Sequence, residues 1–141
     1  MALQRVGAAD MDRLLSLTSG WVRDDRLVQR ALAAGLCEPM LLRSAGHARA
    51  TLLVVDTITG TLAGAPDRAS DAFRVLRQAL GYCWSVAVAA LPGEGTALLE
   101  GWANSADPDL QWVVRENLRK ARLARAAPEW TAGWRTRLGL T

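Results

Sequence analysis

The sequence predicts an all-α protein, and three observations carry that expectation. Apolar residues recur at three- and four-residue steps along most of the chain, prolines and glycines cut it into helix-length pieces, and no strand-turn-strand signal occurs. Half of the 141 residues are apolar and 22% are charged, a balance that suits one folded domain and not a disordered chain.

Each element follows from local chemistry. A helix is expected over residues 11–20, with Met11, Leu14, Leu15 and Thr18 inward and Asp10 as its cap. A second, over 24–37, buries Val28, Ala31, Leu32, Gly35 and Leu36, and Glu38-Pro39 stops it because proline steers the residue before it out of the helical region. Residues 39–45 read as a helical turn. Ala48, Thr51, Leu52, Val55, Thr59 and Leu62 then repeat with a helical period. The β-branched run 51–58 has strand propensity, but it does not alternate and finds no second strand to pair with. Gly64 and Pro66 make 63–70 a loop.

Residues 70–91 read as one long helix with Phe73, Leu76, Leu80, Cys83, Ala87 and Ala90 inward, and with Gly81 as a place to kink. Leu91-Pro92-Gly93 ends it, and a short helix follows over 96–103. The best-marked helix comes next. Leu110, Val113, Val114, Asn117, Leu118 and Ala121 form the apolar stripe of an amphipathic helix over 110–123. Asp107 supplies its N-cap oxygen and Pro108 its first position, where the missing N–H costs nothing. Pro128 opens a last helical segment containing Trp130 and Trp134.

The net charge of +3 is unevenly placed: residues 115–141 hold seven basic and two acidic groups, whereas residues 1–114 hold ten basic and twelve acidic ones. Sixteen of the seventeen basic residues are arginine, which suits bidentate recognition of phosphate or carboxylate and equally suits a chain rich throughout in Ala, Arg, Leu and Gly. Cys37 and Cys83 lie far apart in sequence among apolar neighbours, so both read as reduced core residues. Met1 to Asp10 lacks an apolar secretory core and the apolar run 79–91 is too short to span a bilayer, so a cytoplasmic location without membrane contact is expected.

An internal similarity is present. Asp24-Asp25-Arg26-Leu27-Val28-Gln29-Arg30 and Asp109-Leu110-Gln111-Trp112-Val113-Val114-Arg115 share an acid, two apolar positions and an arginine at equal offsets, 85 residues apart. Half that separation lies near the roughly 40 to 47 residues of helical-pair repeats. With Asp107-Pro108 opening the second copy, the pattern resembles the HEAT-like (armadillo-type) helical repeat proteins over residues 10–123, although the middle unit lacks the aspartate and arginine. The resemblance implies an α-α superhelix, a solenoid of about three antiparallel pairs over 11–37, 47–91 and 96–123, capped by 128–138 in a single domain. It also implies a non-enzymatic scaffold that binds another protein.

No catalytic residue, metal site or cofactor is specified. His47 is the lone histidine and has no nucleophile-elbow context, while Gly60 to Gly64 and Gly93-Glu94-Gly95 lack the strand and lysine-threonine of a phosphate loop. Six tryptophans stand out. Trp84 and Trp112 read as core packing, and Trp21, Trp102, Trp130 and Trp134 fall near helix ends or loops. Trp112, Arg115, Arg119 and Arg122 share one helix flank at i, i+3, i+7 and i+10, and Trp and Arg are the commonest binding anchors. With Asp109 they are the candidate partner-binding residues. Another protein is the first partner expected and nucleic acid the second, because Trp112, Asp109 and Arg115 also resemble the tryptophan and aspartate set of the DNA alkylation repeat glycosylases.

Overall fold

Asp25 starts the first helix among the described residues, α1 (Arg26–Leu36), by accepting hydrogen bonds from the Leu27 and Val28 N–H groups, each at 3.0 Å. A computed structural model describes residues 20–21 and 24–140, and among them it contains α-helices and no strand. The helix expected over 11–20 lies outside the described residues. A short 3-10 turn, Pro39–Leu41, follows α1.

Ser44 then caps α2 (Ala45–Gly60), its Oγ accepting from His47 N at 3.1 Å. This helix forms through the β-branched run because Thr51, Leu52, Val55, Ile58 and Thr59 are all buried along it. Thr59 Oγ1 is satisfied internally, donating to the Val55 carbonyl at 2.7 Å. Burial of a helical stripe outweighs strand propensity here. The loop over 61–70 follows, turned at Gly64 with a φ of 64°.

Ser70 caps the long helix α3 (Asp71–Ala90) through Phe73 N at 3.1 Å. From residue 79 to 88 every position except Tyr82 is buried, so this stretch is apolar nearly all round, as a core helix must be. α3 packs against α1, α2 and three later helices: α4 (Pro92–Ala103), α5 (Pro108–Leu118) and α6 (Ala121–Ala126). A last helix, α7 (Pro128–Arg137), lies on α5 and α6. Trp84 is fully buried in this core, with Nε1 donating to Thr59 Oγ1 at 2.9 Å.

Three boundaries differ from the sequence expectation. α3 runs unbroken through Gly81, whose missing side chain serves a close approach: a Cβ there would lie 3.0 Å from Trp112 Cζ3 on α5. Pro92 does not merely end α3 but occupies the first position of α4, four residues earlier than expected. The helix expected over 110–123 stops at Leu118. Arg119 and Lys120 N–H groups bond back to the carbonyls of Glu116 and Asn117, and the tight turn lets α6 redirect Leu123 into the core while Ala121 is exposed.

Buried Asn117 clamps α5 to α3. Its Nδ2 donates to the Leu80 and Val113 carbonyls, both at 2.8 Å, and its Oδ1 accepts from Ser85 N at 2.9 Å. No described helix is long and apolar enough to cross a membrane.

Candidate partner-binding surface

Asp107 sits at the N-terminus of α5, where its Oδ1 accepts from Asp109 N at 2.9 Å and Leu110 N at 3.4 Å. Arg68, reaching from the loop over 61–70, grips both Asp107 oxygens and also bonds Asp109. Gly64 N adds a contact to Asp107 at 3.3 Å. The Arg68 guanidinium therefore holds the Asp107 carboxyl well below the usual carboxylate range, and the two aspartates raise Arg68 in turn. Arg77 on α3 donates to Asp109 Oδ1 at 2.8 Å while its guanidinium lies 4.6 Å from the centroid of the Trp112 ring.

The sequence-predicted residues consequently separate. Asp109 and Trp112 belong to a network that fastens the loop and α3 to α5. Arg115 Nη1 donates to the Leu138 carbonyl at 2.9 Å and braces the chain leaving α7. Arg119 and Arg122 are exposed, but the break after Leu118 puts Arg119 at the helix cap and Arg122 on α6. The single-helix flank expected to join Trp112, Arg115, Arg119 and Arg122 is thus interrupted, since the i to i+10 spacing presumes a continuous helix.

None of the six indoles is exposed. Trp102 Nε1 donates to Asp56 Oδ1 at 2.8 Å. Trp130 and Trp134 pack with ring centroids 6.3 Å apart, and Arg137 covers Trp134 at 4.7 Å. Among the described residues the exposed large apolar side chains are instead Leu27, Met40, Leu53 and Tyr82, and they come from four different positions on α1, the 3-10 turn, α2 and α3.

Two arrangements were beyond the reach of sequence reasoning. Cys37, at the end of α1, and Cys83 on α3 come within hydrogen-bonding reach of one another; that contact and burial push the Cys37 thiol up. In addition, a cavity of about 350 Å³ is lined by Arg119, Arg135, Gly139 and Leu140. Arg135 carried no sequence signal beyond its membership of the C-terminal basic excess. Among the described residues no group of three His, Cys, Asp or Glu side chains is placed to hold a metal ion. No protein-family model, curated protein or solved structure matches the chain.

Proposed function

We propose that the chain is a non-enzymatic scaffold whose cationic surface, formed by the end of α5 with α6 and α7, takes an acidic protein partner. The carrying observation is how the arginines are used. Arg26, Arg49, Arg68 and Arg77 are each ion-paired with an acid from another part of the fold, whereas Arg119 pairs only with Glu116 of its own helix, and Arg122, Arg125 and Arg137 are exposed in a segment whose acids are Glu116 and Glu129. A same-sign surface of this kind steers an oppositely charged partner and sets its orientation.

Protein is favoured over nucleic acid because single-strand binders present aromatic platforms to the bases, and here the indoles are buried or half-buried. Nor do Asp109 and Trp112 form a cradle for an extruded damaged base, since Arg68 and Arg77 occupy the carboxylate and Arg77 covers the ring. The succession of α2 with α3 and α4 with α5 supports a HEAT-like scaffold. The central place of α3 departs from a serial stack, in which each pair touches its neighbours alone.

Affinity capture from lysate of the source organism, comparing the wild type with the Arg119→Glu, Arg122→Glu double variant, tests the reading. Loss of specific acidic partners in the variant is expected, and identical partner sets would reject this surface. Tight binding to duplex DNA, with log K falling by about 0.9 per contacted phosphate against log salt, would instead favour nucleic acid.

A further inference from the structure

On the cationic surface a cavity lies between the end of α5 and the chain leaving α7. Two arginines, Arg119 and Arg135, line it together with Gly139 and Leu140, and no acidic side chain does. Gly139, with a φ of 71°, turns the chain back so that Leu140 N donates to the Arg135 carbonyl at 2.7 Å. Arg115 fixes this turn to α5 through the Leu138 carbonyl. The wall is therefore held from both ends.

Arg135 Nε is buried and has no hydrogen-bond partner, an unusual condition for a charged donor. Arg119 is ion-paired with Glu116 at 2.8 Å, but its side chain is 55% exposed, and a pair this open to water exchanges at little cost. Of the two guanidinium groups that line the cavity, Arg135 thus has no acceptor on any described residue and Arg119 holds a replaceable one.

We infer that this cavity is a seat for a single side-chain carboxylate of the acidic partner, received between Arg119 and Arg135, with Glu116 as the resident competitor for Arg119. Planar guanidinium groups match a planar carboxylate through paired, charge-assisted hydrogen bonds. The inference rests on the cationic surface being a binding surface, and it adds where the decisive contact lies.

The test is a titration of the ¹⁵N-labelled protein, following the arginine Nε–H resonances, with a short capped Glu-rich peptide, its Gln counterpart and inorganic phosphate as probes. The Arg135 resonance is expected to shift saturably with the Glu peptide and to stay in place with the Gln peptide. Arg135→Gln should weaken binding about tenfold, as loss of a charge-assisted pair does. Glu116→Gln should strengthen it by about two- to fivefold, because an exposed competitor is removed. Arg43→Gln, exposed and outside the cationic surface, should change it by less than about threefold.

The outcomes separate the two levels. If Arg135→Gln and Glu116→Gln both bind the Glu peptide like the wild type while Arg119→Glu, Arg122→Glu still loses its lysate partners, the seat is wrong and the surface stands. If the peptide does not bind and the double variant keeps its partners, both fall. Saturation by phosphate at lower concentration than by the Glu peptide overturns the carboxylate assignment.

Discussion

Asp107 performs two tasks that can be pulled apart. It caps α5 and it receives Arg68, and asparagine caps nearly as well as aspartate but carries no charge. Asp107→Asn is therefore expected to cost about 2 kcal/mol in urea unfolding at neutral pH, below the cost of breaking a fully buried pair, and Asp107→Ala about 1 kcal/mol more. The pH dependence has a definite sign. The folded carboxyl titrates below its unfolded value near about 4, so its contribution is present above that pH and is lost as pH falls further. The stability gap between wild type and Asp107→Asn should narrow on acidification below about pH 4, and a gap that stays constant would show that the charge of Asp107 does not stabilise the fold. The cysteines give a second residue-scale expectation. With Cys37 raised and both thiols buried, a thiol-specific disulfide reagent at mildly alkaline pH should label the native protein far more slowly than the denatured chain; equal rates would contradict the burial.

Glycine in a helix interior costs stability unless its neighbours need the space, and α4 contains both cases. A Cβ on Gly95 would lie 2.8 Å from the backbone Cα of Val88, so α3 and α4 cross there at a distance that only glycine allows. Gly101 in the same helix is exposed and a Cβ there meets nothing. Gly95→Ala is expected to destabilise by about 1 to 3 kcal/mol through overpacking. Gly101→Ala should stabilise by about 0.5 to 1 kcal/mol through helix propensity. Thermal melts of the two variants check both signs, and shifts in the same direction would show that the crossing leaves room for a methyl group. Sequence could not separate these glycines, because what a Cβ would meet at each depends on the facing helix. The start of α5 was legible in Asp107-Pro108, whereas its end was not: Arg119 and Lys120 are good helix formers, and the stop comes from Leu123 turning into the core.

Among the described residues α3 packs against α1, α2, α4, α5 and α6, so removing any layer exposes its buried face to water. A fold organised around one central element should unfold in a single step, whereas quasi-independent repeats can unfold separately. Urea transitions followed by far-ultraviolet circular dichroism and by tryptophan fluorescence are expected to coincide; separated midpoints would favour the serial stack. Trp84→Ala should remove about 3 to 5 kcal/mol, because the large ring leaves a cavity at the centre of this packing and Thr59 loses its partner. The cationic surface belongs to the same scale. It exists because Arg26, Arg49, Arg68 and Arg77 are drawn into pairs between elements, while the exposed arginines after residue 118 meet no acid from another element.

Helix class, most caps and the loop over 61–70 were written locally, since periodicity, Asp or Ser before a helix, and Gly or Pro within a few residues act through neighbours in the chain. The basic excess after residue 115 was equally plain in the sequence. Which arginines face a ligand was not. Arg68 meets Asp107 across 39 positions, and Arg26 meets Asp67 across 41, so pairing of charges is a property of three-dimensional proximity that no local pattern encodes. The same holds for Cys37 beside Cys83, for Trp112 against Gly81, and for Arg119 and Arg135 on one cavity. Tertiary packing decided these because long side chains find their partners only after the helices have stacked, and the contacts they form then determine which groups remain for a ligand.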